Sequence, residues 1–468
     1  MDNIVLGLAP TRRSIFSAPD ALKYAELTKN KLKEIGVTFV DLDGINGEAL
    51  LYEDRDIPRI VEKFKNAKID GLLIPHCNFG TEYVVAKLAK ELGLPVLLWG
   101  PRDERPDEDG IRLRDTQCGL FATGKVLRRF RVPFTYLKNC RLSDPAFEQG
   151  IKRFIAVCNT VKAFKSIRIL QISTRPYDFL TTMCNEGELL ERYNIELAPI
   201  PMPELTAEVK AAKAEKKIVD SVIDYIKQNM DIKIKPDELE TVAALKVAMR
   251  NLAEIYNCNA IAIQCWNMLQ NELGIMPCAA NALLTDEGLP VVCETDIHGA
   301  ITSILVQSAG MGSATFFADW TVRHPDNENA ELLQHCGPWP CSVAKGKPTL
   351  GYPLAFDYPG AVEALAGPGS ITLARFDGDN GEYSLLLGNA ITVEGPYTKG
   401  TYMWVEVDNL DRLEEKIVCG PYIHHCTGIY GDIVPVLYEA CKYINVKPDL
   451  YDPIEDKVQA QIRGEIVS

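Results

Sequence analysis

The first 145 residues alternate short apolar stretches with amphipathic helical stretches, and this alternation constrains the fold more than any other feature of the sequence. Strand-like stretches occur at residues 4–10, 37–42, 70–75 and 95–100, with helical stretches at 21–36, 57–66 and 82–92. Strands that alternate with helices form a parallel sheet with helices on both faces. Residues 1–145 are therefore predicted to be a Rossmann-like or flavodoxin-like α/β domain.

Residues 146–310 repeat this pattern, and residues 311–468 depart from it. Strand-like stretches at 166–173, 195–201, 259–266 and 291–294 are separated by helical ones, whereas the last third has shorter strands and many Gly and Pro turns. Asp-Gly-Asp-Asn-Gly at 377–381, between two apolar runs, is a strong hairpin signal. The predicted fold class is α/β, with two parallel-sheet domains followed by an antiparallel, β-barrel-like C-terminal domain.

Charge and hydropathy exclude several classes of partner. The formal net charge of −14 disfavours nucleic acids and anionic membranes as partners. No apolar run approaches the ~18 residues of a membrane span, and the first residues lack a signal-peptide pattern. The 14 cysteines are dispersed, often within apolar runs, as expected for buried thiols in a reducing compartment. We expect a cytoplasmic protein.

Five of the six histidines lie after position 290, where several acidic residues accompany them, and this region is the candidate metal site. After the turn residues Gly288 and Pro290, alternation along an extended strand would place three ligand-capable side chains on one face. Carboxylates and imidazoles suit a divalent ion such as Mn²⁺, and the absence of a CxxC pair argues against a zinc ribbon. From spacing alone, such residues are more often surface groups or internally paired side chains. The residues concerned are Glu294, Asp296, His298, Asp319, His335 and the pair His424–His425.

A second set of candidates follows the strands of the two α/β domains, where open sheets bind their ligands. Neither a GxGxxG nor a Walker A pattern follows the first strand, so a small ligand is expected in place of a nucleotide. The arginines could hold an anionic or hydroxyl-rich group through their rigid fork of donors, or form a solvated, salt-bridged rim. The candidate substrate-binding residues are Arg12, Arg13, His76, Asn78, Asn185 and Trp266.

Several motifs together resemble the L-fucose and L-arabinose isomerase superfamily, in particular its fucose-isomerase-related branch. In chain order they are residues 112–130, Asn185-Glu186, Glu294-Thr295-Asp296 followed by His298-Gly299-Ala300, Asp319-Trp320, His335-Cys336-Gly337 and the His424–His425 pair. The resemblance covers most of the chain, and it implies two α/β domains followed by a β domain.

The resemblance also implies an activity and a site. The expected activity is metal-dependent aldose–ketose isomerisation of an open-chain deoxyhexose, pentose or C6-modified, for example sulfonated, hexose through a cis-enediol. Mn²⁺ would be bound by Glu294, Asp319 and His425, with His335 a fourth ligand under the arabinose-isomerase pattern. Glu294 and Asp319 would also be the acid–base pair. Sequence does not decide which of His424 and His425 faces the metal.

The resemblance also implies an oligomeric state, and two other functions are compatible with the same residues. In this family the first domain completes a neighbour's active site, which implies a homo-oligomer, a trimer or hexamer. Paired α/β lobes can also bind a sugar without chemistry, as in a sugar-binding or regulatory protein. A metal-dependent hydrolase could use the same Glu, Asp and His residues to activate water.

Overall fold

The computed structural model describes residues 4–353 and 357–465. The chain forms two compact units. The first comprises residues up to Lys162, Tyr438–Tyr443 and the residues from Glu455 onward, and the second comprises Ala163–Leu437 and Ile444–Ile454. The predicted boundaries at residues 145 and 310 stay a prediction.

The first unit contains a five-stranded parallel sheet of order β2-β1-β3-β4-β5. Its central strands are buried on both faces: Leu72 and Ile74 belong to one apolar cluster with Phe64, whereas Leu73 belongs to another with Phe154. Successive side chains point to opposite faces of a strand, so helices must cover both sides. The elements are β1 Leu6–Leu8, α1 Ala18–Glu34, β2 Phe39–Val40, α2 Ile57–Asn66, β3 Gly71–Pro75, α3 Glu82–Leu92, β4 Val96–Trp99, α4 Thr116–Arg129, β5 Thr135–Tyr136 and α5 Pro145–Phe164.

The second unit begins with a four-stranded parallel sheet of order β10-β9-β6-β7. Apolar strands such as Ala260–Ile263 are fully buried, as the continuous apolar pattern predicts. The elements are β6 Arg168–Ile172, α6 Glu186–Tyr193, β7 Glu196–Ile200, α7 Met202–Ala214, α8 Lys216–Asn229, β8 Asp231–Ile232, α9 Pro236–Ile255, β9 Ala260–Ile263, α10 Met268–Leu273, α11 Cys278–Asp286, β10 Val291–Val292 and α12 Ile297–Ala309.

The same unit also contains a closed antiparallel barrel of six strands. Its order is β16-β15-β18-β11-β12-β17, and β17 pairs again with β16 to close the ring. The predicted hairpin is β15–β16, with Asn380 and Gly381 at φ 49° and 83°, the left-handed conformation that a tight Asn-Gly turn requires. The elements of this part of the chain are β11 Phe316–Arg323, β12 Ala330–His335, β13 Thr349–Gly351, β14 Ala361–Leu365, β15 Ser370–Asp379, β16 Glu382–Val393, β17 Thr401–Glu406, α13 Leu410–Cys419, β18 His425–Tyr430, α14 Val434–Ile444, β19 Lys447–Leu450 and α15 Glu455–Ile462. Of these, α15 and residues Tyr438–Tyr443 of α14 belong to the first unit.

The predicted fold class is confirmed: two parallel sheets with flanking helices are followed by an antiparallel barrel. Within the described ranges, no helix combines the length and the apolar character that crossing a bilayer requires.

Candidate metal centre

The chain leaves the second parallel sheet immediately before the candidate ligands, and here the strand prediction was wrong. β10 ends at Val292; Glu294 and Thr295 follow with φ 53° and 55°. Asp296 then caps α12, its Oδ1 accepting a hydrogen bond from the Gly299 N–H at 2.9 Å. Glu294, Asp296 and His298 therefore do not share a strand face. Left-handed backbone at two consecutive non-glycine residues is costly and is typical of functional sites.

Glu294 and three barrel residues converge on one point. Glu294 Oε2 lies 3.5 Å from Nε2 of both His335 and His425, and Asp319 Oδ1 lies 3.5 Å from His425 Nε2 and 3.9 Å from His335 Nε2. Asp319 of β11 is directly opposite His425 of β18 in the barrel ladder, so their side chains are cross-strand neighbours. His425 is thus a strand residue.

The donor set fits a divalent cation. Glu294 Oε2, Asp319 Oδ1 and His335 Nε2 are buried, and none has a hydrogen-bond partner among the described residues. Buried polar atoms are rarely left unpaired, so three at one point fit a cation as their common partner. Two carboxylates with imidazole suit Mn²⁺ and related divalent ions. The residues line a cavity of about 340 Å³.

The carboxylates and histidines of the site shift one another's pKa values. Burial by itself raises the pKa of Glu294, but His335 and His425 outweigh it and lower that pKa to about 2. Burial lowers the pKa of His335, but Asp319 and Glu294 raise it well above its ordinary value. Glu294 is therefore an ionised carboxylate at neutral pH.

A buried ionic network lies behind His425 and contacts the Nδ1 atom of its ring. His425 Nδ1 donates to Asp296 Oδ2 at 2.9 Å, and Arg375 binds both oxygens of Asp296. Arg375 also contacts Asp377 at 2.8 Å, and Asp377 Oδ1 lies 2.9 Å from His298 Nδ1. Burial raises the pKa of Asp296, but Arg375 outweighs it and holds that pKa far below its ordinary value. His298 therefore belongs to this network and is not one of the converging ligands.

Sequence reasoning missed Arg375 and Asp377. A signal was nevertheless present, because these two charged residues stand on either side of Phe376, directly after Leu373 and Ala374, and residues two apart in a strand share a face. Arg375 is 1% exposed and Asp377 is 7% exposed. Charged side chains are almost never this buried unless they are paired.

Of the predicted substrate contacts in the second unit, Trp266 is at the site and Asn185 has another role. The Trp266 indole Nε1–H donates to Glu294 Oε1 at 2.9 Å, and its ring lines the cavity. Asn185 caps α6, its side chain accepting from the Glu188 N–H at 3.2 Å. His424 and His425 both line the cavity, but only Nε2 of His425 is within 3.5 Å of both Glu294 and Asp319.

The two candidate arginines of the first unit are internally paired. Arg12 binds the Glu48 carboxylate and stacks 4.0 Å from the centre of the Tyr52 ring. Arg13 binds Glu82 and stacks 4.5 Å from the Phe79 ring. This arrangement matches the salt-bridged rim that the sequence left open as the alternative.

His76 and Asn78 are fully buried in the loop that follows β3. His76 Nδ1 lies 2.9 Å from the Phe79 carbonyl oxygen, and burial lowers the pKa of His76 to about 4. Asn78 Oδ1 accepts from the N–H groups of Arg13 and Gly80. Both residues fix the conformation of the loop, and their role in substrate binding stays a prediction.

Comparison with known proteins finds one family model that matches the first part of the chain and relatives that align with 59–96% of it. The family model for the fucose/sulfoquinovose isomerase N-terminal domain matches residues 7–165. Sulfoquinovose isomerases of Priestia aryabhattai and Priestia megaterium are each 25% identical over 460 residues, covering 96% of this chain and 100% of theirs. A sulfoquinovose isomerase of Alkalicoccus urumqiensis is 26% identical over 276 residues, covering 59% of this chain and 61% of that protein.

Proposed function

Since this chain belongs to the fucose isomerase-related superfamily, we propose that it is a metal-dependent aldose–ketose isomerase whose substrate is a sulfonated hexose, sulfoquinovose. The observation that carries the proposal is the convergence of unpartnered Glu294, Asp319 and His335 atoms with His425 in one cavity of the described chain. The choice of sugar is supported by relatives named for this activity that align over nearly the whole chain.

Glu294, Asp319 and His425 would hold the ion. Bound Mn²⁺ would polarise the substrate carbonyl and stabilise the developing enediolate charge. In the forward direction a carboxylate takes the proton from C2, O1 gains a proton, and the cis-enediol returns a proton to C1 as O2 loses its own. No atom is gained or lost overall, so one carboxylate base and one proton relay are sufficient.

The residues around the carboxylates support this chemistry. Trp266 fixes one oxygen of Glu294 and leaves the other facing the cavity. Phe179 and Trp266 also line the cavity, and such apolar walls exclude water from a reactive enediolate. Glu294 and Asp319 are the proposed acid–base pair.

The direct test is NMR of sulfoquinovose in D₂O with chelator-stripped protein before and after Mn²⁺ is restored. Conversion to the ketose that requires the metal, with deuterium entering C1 or C2, is expected. L-fucose and L-arabinose serve as alternative substrates, and conversion of either in place of sulfoquinovose would refute the choice of sugar. Metal-bound protein that converts none of them would favour a sugar-binding protein, and a new hydrolysis product would favour a hydrolase.

We also propose a homo-oligomer, a trimer or hexamer, in which the first domain completes a neighbour's site. Light scattering combined with activity measured at decreasing protein concentration tests this. Activity should fall as the oligomer dissociates, and a fully active monomer would contradict it.

A further inference from the structure

A cavity of the first unit lies at the carboxyl ends of the neighbouring parallel strands β4 and β5. Its volume is about 560 Å³, which is within the range of sites for small molecules. β4 ends at Trp99 and β5 at Tyr136, and the loops that follow bring Arg102 and Lys138 to the cavity wall. Open parallel sheets bind their ligands at this edge. None of the metal-centre residues lines this cavity.

The cavity has an excess of positive charge. Among the described residues, neither the Arg102 guanidinium nor the Lys138 ammonium group forms an ion pair or a hydrogen bond. Asp144 also lines the cavity, and its Oδ2 accepts from the backbone N–H of Arg141 at 2.8 Å. Two cations thus face one carboxylate, in a chain whose formal net charge is −14. A cavity with this local charge attracts anions although the chain as a whole repels them.

Hydrogen bonds fix the main chain that carries the two cations. The Arg102 N–H donates to the Cys140 carbonyl oxygen at 3.0 Å, which joins the loop after β4 to the loop after β5. The Arg102 carbonyl oxygen accepts from the buried guanidinium of Arg114 at 2.8 Å. The Lys138 N–H donates to the Arg463 carbonyl oxygen at 3.1 Å. A wall that is ordered in advance reduces the cost of ordering when a ligand binds.

The same wall offers groups that suit hydroxyls. Gln117 and Asn139 line the cavity, and the Asn139 side chain donates one N–H to the Gly100 carbonyl oxygen at 2.9 Å, which leaves its oxygen and its second N–H for a ligand. Amides both donate and accept, as hydroxyl groups do, whereas guanidinium and ammonium groups suit an oxyanion. We propose that this cavity binds a small hydroxylated anion, a sugar sulfonate or sugar phosphate, with Arg102 and Lys138 on its anionic group.

Calorimetric titration of the full-length, chelator-stripped protein tests the site. Sulfoquinovose and glucose 6-phosphate are the anionic probes, and glucose is the neutral one. At least one of the two anions is expected to bind, and glucose is not. The anion that binds more tightly identifies the group, sulfonate or phosphate, that the cavity takes.

Two double variants locate the binding. Arg102→Gln with Lys138→Gln should weaken binding of the anion by about 10-fold or more, because each substitution removes a hydrogen bond between charged groups. The matched control, Lys125→Gln with Arg128→Gln, changes the net charge by the same amount at exposed positions of α4 that do not line the cavity. It should bind the anion as the unaltered protein does. None of these four side chains forms an ion pair among the described residues, so both variants are expected to fold.

Three results would overturn the proposal. The first is that neither sugar anion binds to the unaltered protein, and the second is that both double variants lose the same affinity. The third is that inorganic phosphate binds as tightly as the sugar anions, which would reduce the cavity to a site for a free ion. The titration involves neither metal nor turnover, so failure of the proposed isomerase activity would leave its result unchanged.

Discussion

Asp296→Asn should separate metal affinity from fold stability. Asp296 accepts from His425 Nδ1 through one oxygen and binds the Arg375 guanidinium through both. In the asparagine variant one oxygen becomes an NH₂ group. Whichever oxygen it replaces, that group faces an Arg375 N–H together with either the His425 N–H or the Gly299 N–H, and it can accept from none of them.

Two magnitudes follow from this geometry. Removing the hydrogen-bonding partner of a metal-ligating histidine costs about 10–100-fold in metal affinity, and we expect that loss for Mn²⁺. Breaking a buried ion pair by removing one charge costs about 3–5 kcal/mol of unfolding free energy. Arg375 is 1% exposed, so water cannot replace the lost carboxylate, but Asp377 still binds the guanidinium, so a loss near the lower end of this range is expected.

The control is Asp377→Asn. Asp377 also binds Arg375, with 2.8 Å between the charged groups, but its other partner is His298 and not His425. It should destabilise the fold by a similar amount while leaving Mn²⁺ affinity within about 3-fold, well below the 10–100-fold range. Calorimetric titration gives the affinity of each folded variant, and urea denaturation of the metal-free proteins gives stability.

Either of two results would refute the reasoning. If Asp296→Asn is destabilised but binds Mn²⁺ as tightly as the unaltered protein, Asp296 does not set the tautomer of His425. If Asp377→Asn loses as much affinity as Asp296→Asn, the effect is general loosening of the network and not a specific action on His425.

Three further predictions concern the carboxylate, the indole and one helix contact. The folded-state pKa of Glu294 is lowered from 4.5 to about 2, so ionised Glu294 stabilises the metal-free protein above pH 4.5, and this stabilisation is lost as the pH falls to about 2. The free energy of unfolding of Glu294→Gln, measured against pH, should lack this contribution of about 3 kcal/mol. Trp266→Phe removes the N–H donor to Glu294, and calorimetry should show Mn²⁺ affinity lower by about 10–100-fold; unchanged affinity would contradict this role. Gly119→Ala forces a Cβ atom into the Phe79 carbonyl group, whereas the Cβ atom of Gly124→Ala makes an ordinary contact at 3.5 Å. Thermal melts should show an unfolding free energy lower by about 1 kcal/mol or more in Gly119→Ala only. Equal melting temperatures of the two variants would contradict this.

The fold could be predicted because its determinants are local. Alternating strands and helices specify parallel sheets, and the Asn380-Gly381 turn specifies its hairpin. The position of Glu294 just beyond a parallel strand also followed from pattern. The positions of Asp296 and His298 did not follow, because the chain turns through two residues with left-handed backbone, Glu294 and Thr295. A strand pattern continued past that turn wrongly places His298 on the same face as Glu294.

The network behind His425 could not be predicted from spacing. Asp296 and Arg375 are 79 positions apart, and His425 follows 129 positions after Asp296. Their contact depends on the packing of α12 against strands of the barrel. Burial of both charges is the physical signature of the pair, and burial is a property of the tertiary structure.

The balance of charge explains why a divalent cation belongs at this point. Among the described residues, the metal centre and the network behind His425 contain four carboxylates, those of Glu294, Asp296, Asp319 and Asp377, and one guanidinium, that of Arg375, which binds Asp296 and Asp377. Arg375 is shared by Asp296 and Asp377, so it offsets one of their two negative charges and none of the charge on Glu294 and Asp319, which face His335 and His425 instead. Two carboxylates in a site of low dielectric repel each other unless a cation or proton lies between them. A divalent ion matches that deficit, whereas the proposed substrate, an anionic sulfonated sugar, adds to it, so the metal is expected to bind before the substrate.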